Sequence, residues 1–196
     1  MADCILYIAA SVDGFIATDD GGISWLEEVS DAEADGSAAD TTTTENTEPT
    51  DDGYDAFFAS VDCLVMGSTT YEQVLGFGKW PYEDRPTYVL TSRELPLATD
   101  AVKLVDDEPA ALVERLKRQH DRIWLVGGAT TAQSLLRANC VDELRLTLVP
   151  FLLGSGISLF GDSEDGTHRT LELLETTPRE TGVVELRYRI EATGER

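Results

Sequence analysis

At 196 residues, 42% of them hydrophobic, the chain suits one domain with a buried core. Its 15 Lys plus Arg against 37 Asp plus Glu give a formal net charge of -22, and only Lys79, Lys103 and Lys117 are lysines. Such a surface repels nucleic acid and anionic membranes, which excludes both as expected partners, and it suits a halophilic interior where salt screens its self-repulsion. No apolar run approaches a membrane span and the M-A-D-C start lacks a charged leader, so a cytoplasmic protein is expected. Cys4, Cys63 and Cys140 are odd in number and far apart, and His120 and His168 are isolated, so neither a disulfide framework nor a metal site is expected.

Taken in order, Cys4 to Ala10 (C-I-L-Y-I-A-A) reads as a buried strand. Asp13-Gly14 is a turn followed by a short extended return, and Asp19-Asp20-Gly21-Gly22 is a second turn before the apolar anchor Ile23-Ser24-Trp25-Leu26. Between Glu27 and Asp55 stand eleven acids, no Lys or Arg, and four consecutive threonines, so residues 27–52 read as a solvated insertion rather than a calcium loop. Tyr54 to Ser60 is a short amphipathic helix with Asp55 in its first turn. Val61 to Met66 is a buried strand, and Gly67-Ser68-Thr69-Thr70 turns it into a helix through Leu75. After the loop Gly76 to Pro86, the strand Thr87 to Leu90 ends in Thr91-Ser92-Arg93. Val102 to Val105 is a strand and Glu108 to His120 an amphipathic helix.

The stretch from Arg122 to Leu136 repeats the strand, glycine and hydroxyl-rich helix start in its fullest form. Ile123 to Val126 is an apolar run, Gly127 and Gly128 stop it, and Ala129-Thr130-Thr131 open a helix with apolar positions at Ala132, Leu135 and Leu136. Free N–H groups at such a start, with no Cβ in the way, can donate to a phosphate. A tight turn without a ligand satisfies the same residues, and the full G-x-G-x-x-G fingerprint is absent. Val141 to Leu153 reads as a long strand broken by Gly154-Ser155-Gly156. Arg169 to Glu175 and Val183 to Ala192 finish the sheet, the last alternating Leu186, Tyr188 and Ile190 with Arg187, Arg189 and Glu191. The tally is about eight strands and four helices in a single α/β domain, with a mostly parallel sheet closed by an antiparallel C-terminal hairpin.

The runs S-V-D-G-F-I-A with Trp25, V-M-G-S-T-T-Y-E, Y-V-L-T-S-R, L-V-G-G-A and V-D-E-L followed by V-P-F-L-L-G-S-G-I-S-L-F resemble, in order, the dihydrofolate-reductase-like proteins. They are most similar to the branch holding the reductase domain of riboflavin biosynthesis enzymes and its stand-alone relatives, over nearly the whole chain outside Glu27 to Asp52. The resemblance implies a three-layer fold and a reductase using NADPH, with NADH as the alternative. It implies that Gly67, Ser68, Thr69 and Thr70, with Thr91, Ser92 and Arg93, hold the adenosine side of the cofactor. Gly127, Gly128, Ala129 and Thr130 match the pyrophosphate turn, and Ala9, Ala10 and Ile16 the backbone around the nicotinamide. Many relatives read G-R-x-T-Y where this chain has Gly67-Ser68-Thr69-Thr70-Tyr71, so the arginine facing the 2′-phosphate is missing and Arg93 is the cation left to supply it.

For catalysis the resemblance points to a carboxylate on the first helix, here Asp55 with Asp52 as fallback, and to Asp13 and Trp25 beside the nicotinamide and substrate. A helix-start charge for Asp55, a loop-shaping turn for Asp13 and a core position for Trp25 are the structural alternatives. Tyr71 and Trp124 are assigned to packing. The expected reaction is hydride transfer to a C=N or C=O bond of a small heterocyclic, pterin- or pyrimidine-like substrate. Reduction of 5-amino-6-(5-phosphoribosylamino)uracil ranks below it, because Lys79, Arg85 and Arg93 are the only cations near the relevant loops. A dinucleotide-binding module without turnover is the alternative from another class. Relatives pair through their late antiparallel strands, which makes a homodimer the expected assembly.

Overall fold

The computed structural model describes residues 2–26, 53–161 and 169–191. Eight strands form one sheet in the order β5-β4-β3-β6-β1-β7-β10-β9. The strands are β1 (Asp3–Ser11), β3 (Cys63–Gly67), β4 (Thr87–Leu90), β5 (Val102–Val105), β6 (Arg122–Gly127), β7 (Glu143–Val149), β9 (Leu171–Pro178) and β10 (Val184–Ile190). All pairings from β5 to β7 are parallel, and β10 lies antiparallel to both β7 and β9. A separate two-stranded ribbon joins β2 (Phe15–Ala17) to β8 (Ile157–Ser158).

Among the described residues, four helices cover the two faces. We label them α1 (Tyr54–Ser60), α2 (Ser68–Gly76), α3 (Pro109–Lys117) and α4 (Ala129–Arg137). Phe57 of α1 and Tyr71 and Val74 of α2 pack with Ile5, Leu64, Met66 and Trp124 on one face. Leu112, Val113 and Leu116 of α3 and Ala132 and Leu135 of α4 pack with Leu6, Val65, Ile123 and Leu125 on the other. Because β3 and β6 are covered on both sides, they read as unbroken apolar runs rather than alternating ones.

The sequence reading places most of these elements, and the differences have local causes. The helix expected from Glu108 begins at Pro109, because Glu108 stands outside it and caps it by accepting the Ala111 N–H at 2.9 Å. It stops at Lys117 rather than His120. The strand expected to reach Leu153 stops at Val149, since Pro150 brings no N–H to the ladder. The ribbon strand β8 was not expected at all. It forms because Gly156, at φ +145, lets the chain lie against the Ala17 backbone, where a Cβ would overlap the Ala17 carbonyl oxygen. The final hairpin strands sit at Leu171–Pro178 and Val184–Ile190, displaced by one to three residues at their ends from the expected ranges. The insertion 27–52, with Asp52, lies outside the described residues.

Candidate functional site

The sheet order creates a crevice between β3 and β6. From β3 the chain leaves through α2 on one face, whereas from β6 it leaves through α4 on the other. Neighbouring parallel strands whose following helices depart to opposite faces define a topological switch point, and ligands of open α/β sheets bind at its carboxyl end. Here the two strands end in Gly67 and Gly127-Gly128. An extra residue in β6 pairs Met66 with Gly127 rather than Val126, so the glycine ends face each other.

Side chains are disfavoured at both glycines, at Gly128 by its backbone conformation and at Gly67 by a close contact. Gly128 has φ +94, and a Cβ on it would lie 3.4 Å from Thr70 Oγ1 and 3.6 Å from the Gly67 Cα. A Cβ on Gly67 would lie 2.9 Å from Thr131 Oγ1. Neither α2 nor α4 receives a side-chain cap at its start, in contrast to α3. Two helix starts therefore present their first N–H groups and positive dipole ends at one crevice. Ser68, Thr70, Ala129 and Thr91 are half-buried around it, with Thr69, Thr130 and Ser92 exposed.

The central strand contributes the crevice floor. β1 pairs with β6 only from Asp3 to Leu6, yet it pairs with β7 as far as Ser11. The edge of Ile8, Ala9 and Ala10 that faces β6 thus has no strand partner among the described residues. The Ala10 side chain is 1% exposed and belongs to the α3–α4 face of the core, so only its backbone is available to a ligand. Ile16 is half-buried against the same core.

Arg93 sits at this end of the sheet, three residues beyond β4. Its Nη1 and Nη2 donate to the two carboxylate oxygens of Glu72 on α2 at 3.2 and 2.6 Å, and its own N–H donates to Thr91 Oγ1 at 3.0 Å. The Glu72 carboxylate holds the guanidinium's pKa above its ordinary value. Sequence reading put Arg93 here but missed Glu72, which occupies it.

The three catalytic candidates fall in different settings. Asp13 accepts from Ser11 Oγ at 2.6 Å, from the Gly154 N–H at 2.8 Å and from the Leu153 N–H at 3.2 Å. The Ser11 bond and then the Gly154 bond pull its pKa below 3.8, so the carboxylate stays ionised near neutrality and ties the β1–β2 turn to the segment after β7. Trp25 is 3% exposed and tilts against Phe151, ring centroids 6.2 Å apart, with its indole N–H buried and without an acceptor among the described residues. Asp55 projects from the first turn of α1 into solvent. Beside it, Tyr54, Phe57 and Phe58 of α1 join Tyr7, Tyr82 and Trp124 in one aromatic cluster. Trp124 donates to the Tyr7 carbonyl at 3.3 Å, and the buried Tyr71 hydroxyl donates to the Pro96 carbonyl at 2.8 Å, so both serve packing as expected. Among the described residues no group of His, Cys, Asp and Glu is placed to hold a metal, and no helix is long and apolar enough to cross a membrane.

Known proteins resemble this chain in sequence and in fold. The uncharacterized protein YwjB of Bacillus subtilis is 33% identical over 186 residues, covering 94% of this chain and 95% of its own length. A riboflavin-biosynthesis candidate protein from Shewanella sp. PV-4 superposes with a TM-score of 0.77 at 27% identity, over 98% of this chain and all of its own. The dihydrofolate reductase of Enterococcus faecalis, at 18% identity, shares the fold with a TM-score of 0.61 over 97% of each chain. The RibD C-terminal domain family matches residues 3–184, and with this match the chain belongs to that family of dihydrofolate-reductase-like domains.

Proposed function

We propose that this protein is an NAD(P)H-dependent reductase that transfers a hydride to a C=N or C=O bond of a small heterocyclic substrate. The observation that carries this reading is the crevice between β3 and β6, with glycines face to face and two uncapped helix starts. A dinucleotide fits these residues, because its pyrophosphate needs close backbone approach and N–H donors, and side chains at Gly67 or Gly128 would fill that space. Gly127, Gly128, Ala129 and Thr130 would hold the pyrophosphate. Gly67 to Thr70 and Thr91 to Arg93 would hold the adenosine side, and the open backbone edge of Ala9 and Ala10, with Ile16, would hold the nicotinamide. The bound cofactor supplies the hydride.

The chain's own contribution is position and exclusion of water. The Asp13 bonds to Leu153 and Gly154 fix the turn that covers the end of β1, next to Ile16. Trp25 packs against Phe151, whose carbonyl accepts the Val12 N–H of that turn. Asp13, held ionised, carries no proton to donate at neutral pH.

The riboflavin-pathway version of the reaction requires cations for a sugar phosphate. Arg85 lies over the Phe58 ring at 4.9 Å and donates to the Val61 carbonyl, and Arg93 is held by Glu72, so neither is vacant at the crevice. The general reductase reading therefore stands first.

The test is a titration of the purified protein with NADH and NADPH, following energy transfer from tryptophan to the nicotinamide. Micromolar binding of either supports the reading. A folded protein that binds neither contradicts it.

A further inference from the structure

A second polar site lies on the α1 face of the sheet, away from the β3–β6 crevice. Across the strands, Tyr7, Arg145, Arg187 and Glu175 form one row, and Ala9, Thr147, Glu185 and Thr177 form the next. Arg145, Arg187, Glu175, Thr177 and Glu185 line a cavity of about 260 Å³ there.

Its charges do not cancel at the centre. Glu143, with its side chain 11% exposed, accepts from Arg187 Nε and Nη2 at 2.7 and 3.0 Å and from Arg145 Nε at 2.8 Å. Burial pushes this carboxyl's pKa up, but the two arginines outweigh it and hold the group ionised. One carboxylate thus serves two guanidiniums, leaving one positive charge. Glu185 already faces Arg179 at 3.9 Å and accepts the Tyr7 hydroxyl at 3.1 Å. Glu175, 62% exposed and 3.9 Å from Arg187, is screened by solvent and offsets little of it.

The surplus charge is presented by Arg145. Its side chain is only 13% exposed, yet Nη1 and Nη2 have no acceptor among the described residues. The guanidinium lies over the Phe57 ring at 4.8 Å, and Glu143 fixes its Nε, so the direction of the terminal fork is set in advance. Nη1 and Nη2 carry four N–H donors, which an acceptor in the cavity can satisfy. The volume falls below the roughly 300 Å³ at which drug-sized ligand pockets begin, so the cavity takes the end of a small molecule.

We propose that Arg145 anchors a binding site for one oxyanion group, a carboxylate or a phosphate, carried by a small molecule. This site requires no dinucleotide.

The experiment is calorimetric titration of the full chain with inorganic phosphate and, separately, with acetate, at fixed ionic strength. One of the two is expected to bind saturably at one site, and which one identifies the group. Arg145→Leu is expected to weaken that binding about tenfold or more, the loss of charge-assisted hydrogen bonds. Thr177→Glu places a like charge on the exposed rim without touching the buried triad, and is expected to weaken binding by about threefold. Absence of saturable binding by either ion overturns the proposal. So does wild-type affinity in Thr177→Glu, a result that stands even where Arg145→Leu does not fold.

Discussion

The guanidinium of Arg93 and the carboxylate of Glu72 lie fork to fork, 2.6 Å apart at their closer contact, at the carboxyl end of β3 and β4. Both side chains are about half exposed, so the pair contributes little to stability, but it decides the charge that a ligand meets there. With Glu72 in place the pair is neutral, and a 2′-phosphate gains nothing from Arg93 that water did not give it. The expected preference is for NADH. Glu72→Gln leaves Arg93 as a net cation and should tighten NADPH by about fivefold in moderate salt while leaving NADH within about twofold. Fluorescence titrations of both cofactors check this. An unchanged NADPH to NADH ratio would show that Arg93 does not face the phosphate.

At the crevice, the two glycines differ in what forbids a side chain. Gly67 has ordinary extended dihedrals, so an added Cβ meets only the Thr131 hydroxyl at 2.9 Å. At Gly128 an added Cβ would meet only ordinary contacts, the Gly67 backbone at 3.6 Å among them, and it is φ +94 that opposes a side chain. Gly67→Ala is therefore expected to cost about 1–3 kcal/mol, most of it recovered by adding Thr131→Ala. Gly128→Ala should cost a similar about 1–3 kcal/mol through its backbone conformation, with no recovery from Thr70→Ala or Thr131→Ala. Urea unfolding of the single and double variants measures both couplings. Equal recovery at the two positions would refute the distinction.

The crevice was legible in the sequence because its signals are local. An apolar run, a glycine and a hydroxyl-rich helix start sit within ten residues of one another at Val61–Thr70 and again at Ile123–Thr131. The antiparallel finish was legible in the alternation of Leu186, Tyr188 and Ile190 with charged residues. That same alternation concealed the second site. Arg187 and Arg189 read as one solvated face, yet Arg187 meets Glu143, 44 positions away, on a face partly covered by α1. Glu72 and Arg93 are 21 positions apart and meet only because β3 and β4 are neighbours. The two-residue β8 carries too few residues for any periodicity. Pairings set by sheet topology leave no mark on a single stretch of chain.

Helix α1 holds to the sheet through Phe57, which is 3% exposed and lies edge-on to Tyr7 at 4.9 Å and to Trp124 at 5.4 Å. It also forms the flat support under Arg145. Phe57→Ala is expected to destabilise the protein by about 3–5 kcal/mol, the usual cost of emptying a buried phenylalanine site. Phe57→Leu refills most of the volume and removes the ring, so it should recover most of the stability while weakening whatever binds at Arg145. Thermal unfolding and anion titration of the same two variants separate the effects. Equal loss of stability in both would mean that the aromatic edge contacts, rather than volume, hold α1.

Asp13 links the β1–β2 turn to the chain after β7 by accepting three hydrogen bonds on its two oxygens, and all three are kept only while it is ionised. Its folded pKa lies below the ordinary 3.8, owing first to Ser11 and then to Gly154. The sign follows from linkage. A group with a depressed folded pKa adds stability that is complete above its unfolded value and is lost as pH falls through the folded one. Amide protection of Leu153 and Gly154 should therefore be level from neutrality down to about pH 4 and drop below that. Asp13→Asn keeps one acceptor oxygen and cannot titrate, so it should lower this protection at pH 7 and abolish the acid step. Hydrogen exchange at those two amides reads both changes. An acid step that persists in Asp13→Asn would assign the loop's pH dependence to another carboxylate, with Asp20 next because its bond from Thr18 also depresses its pKa.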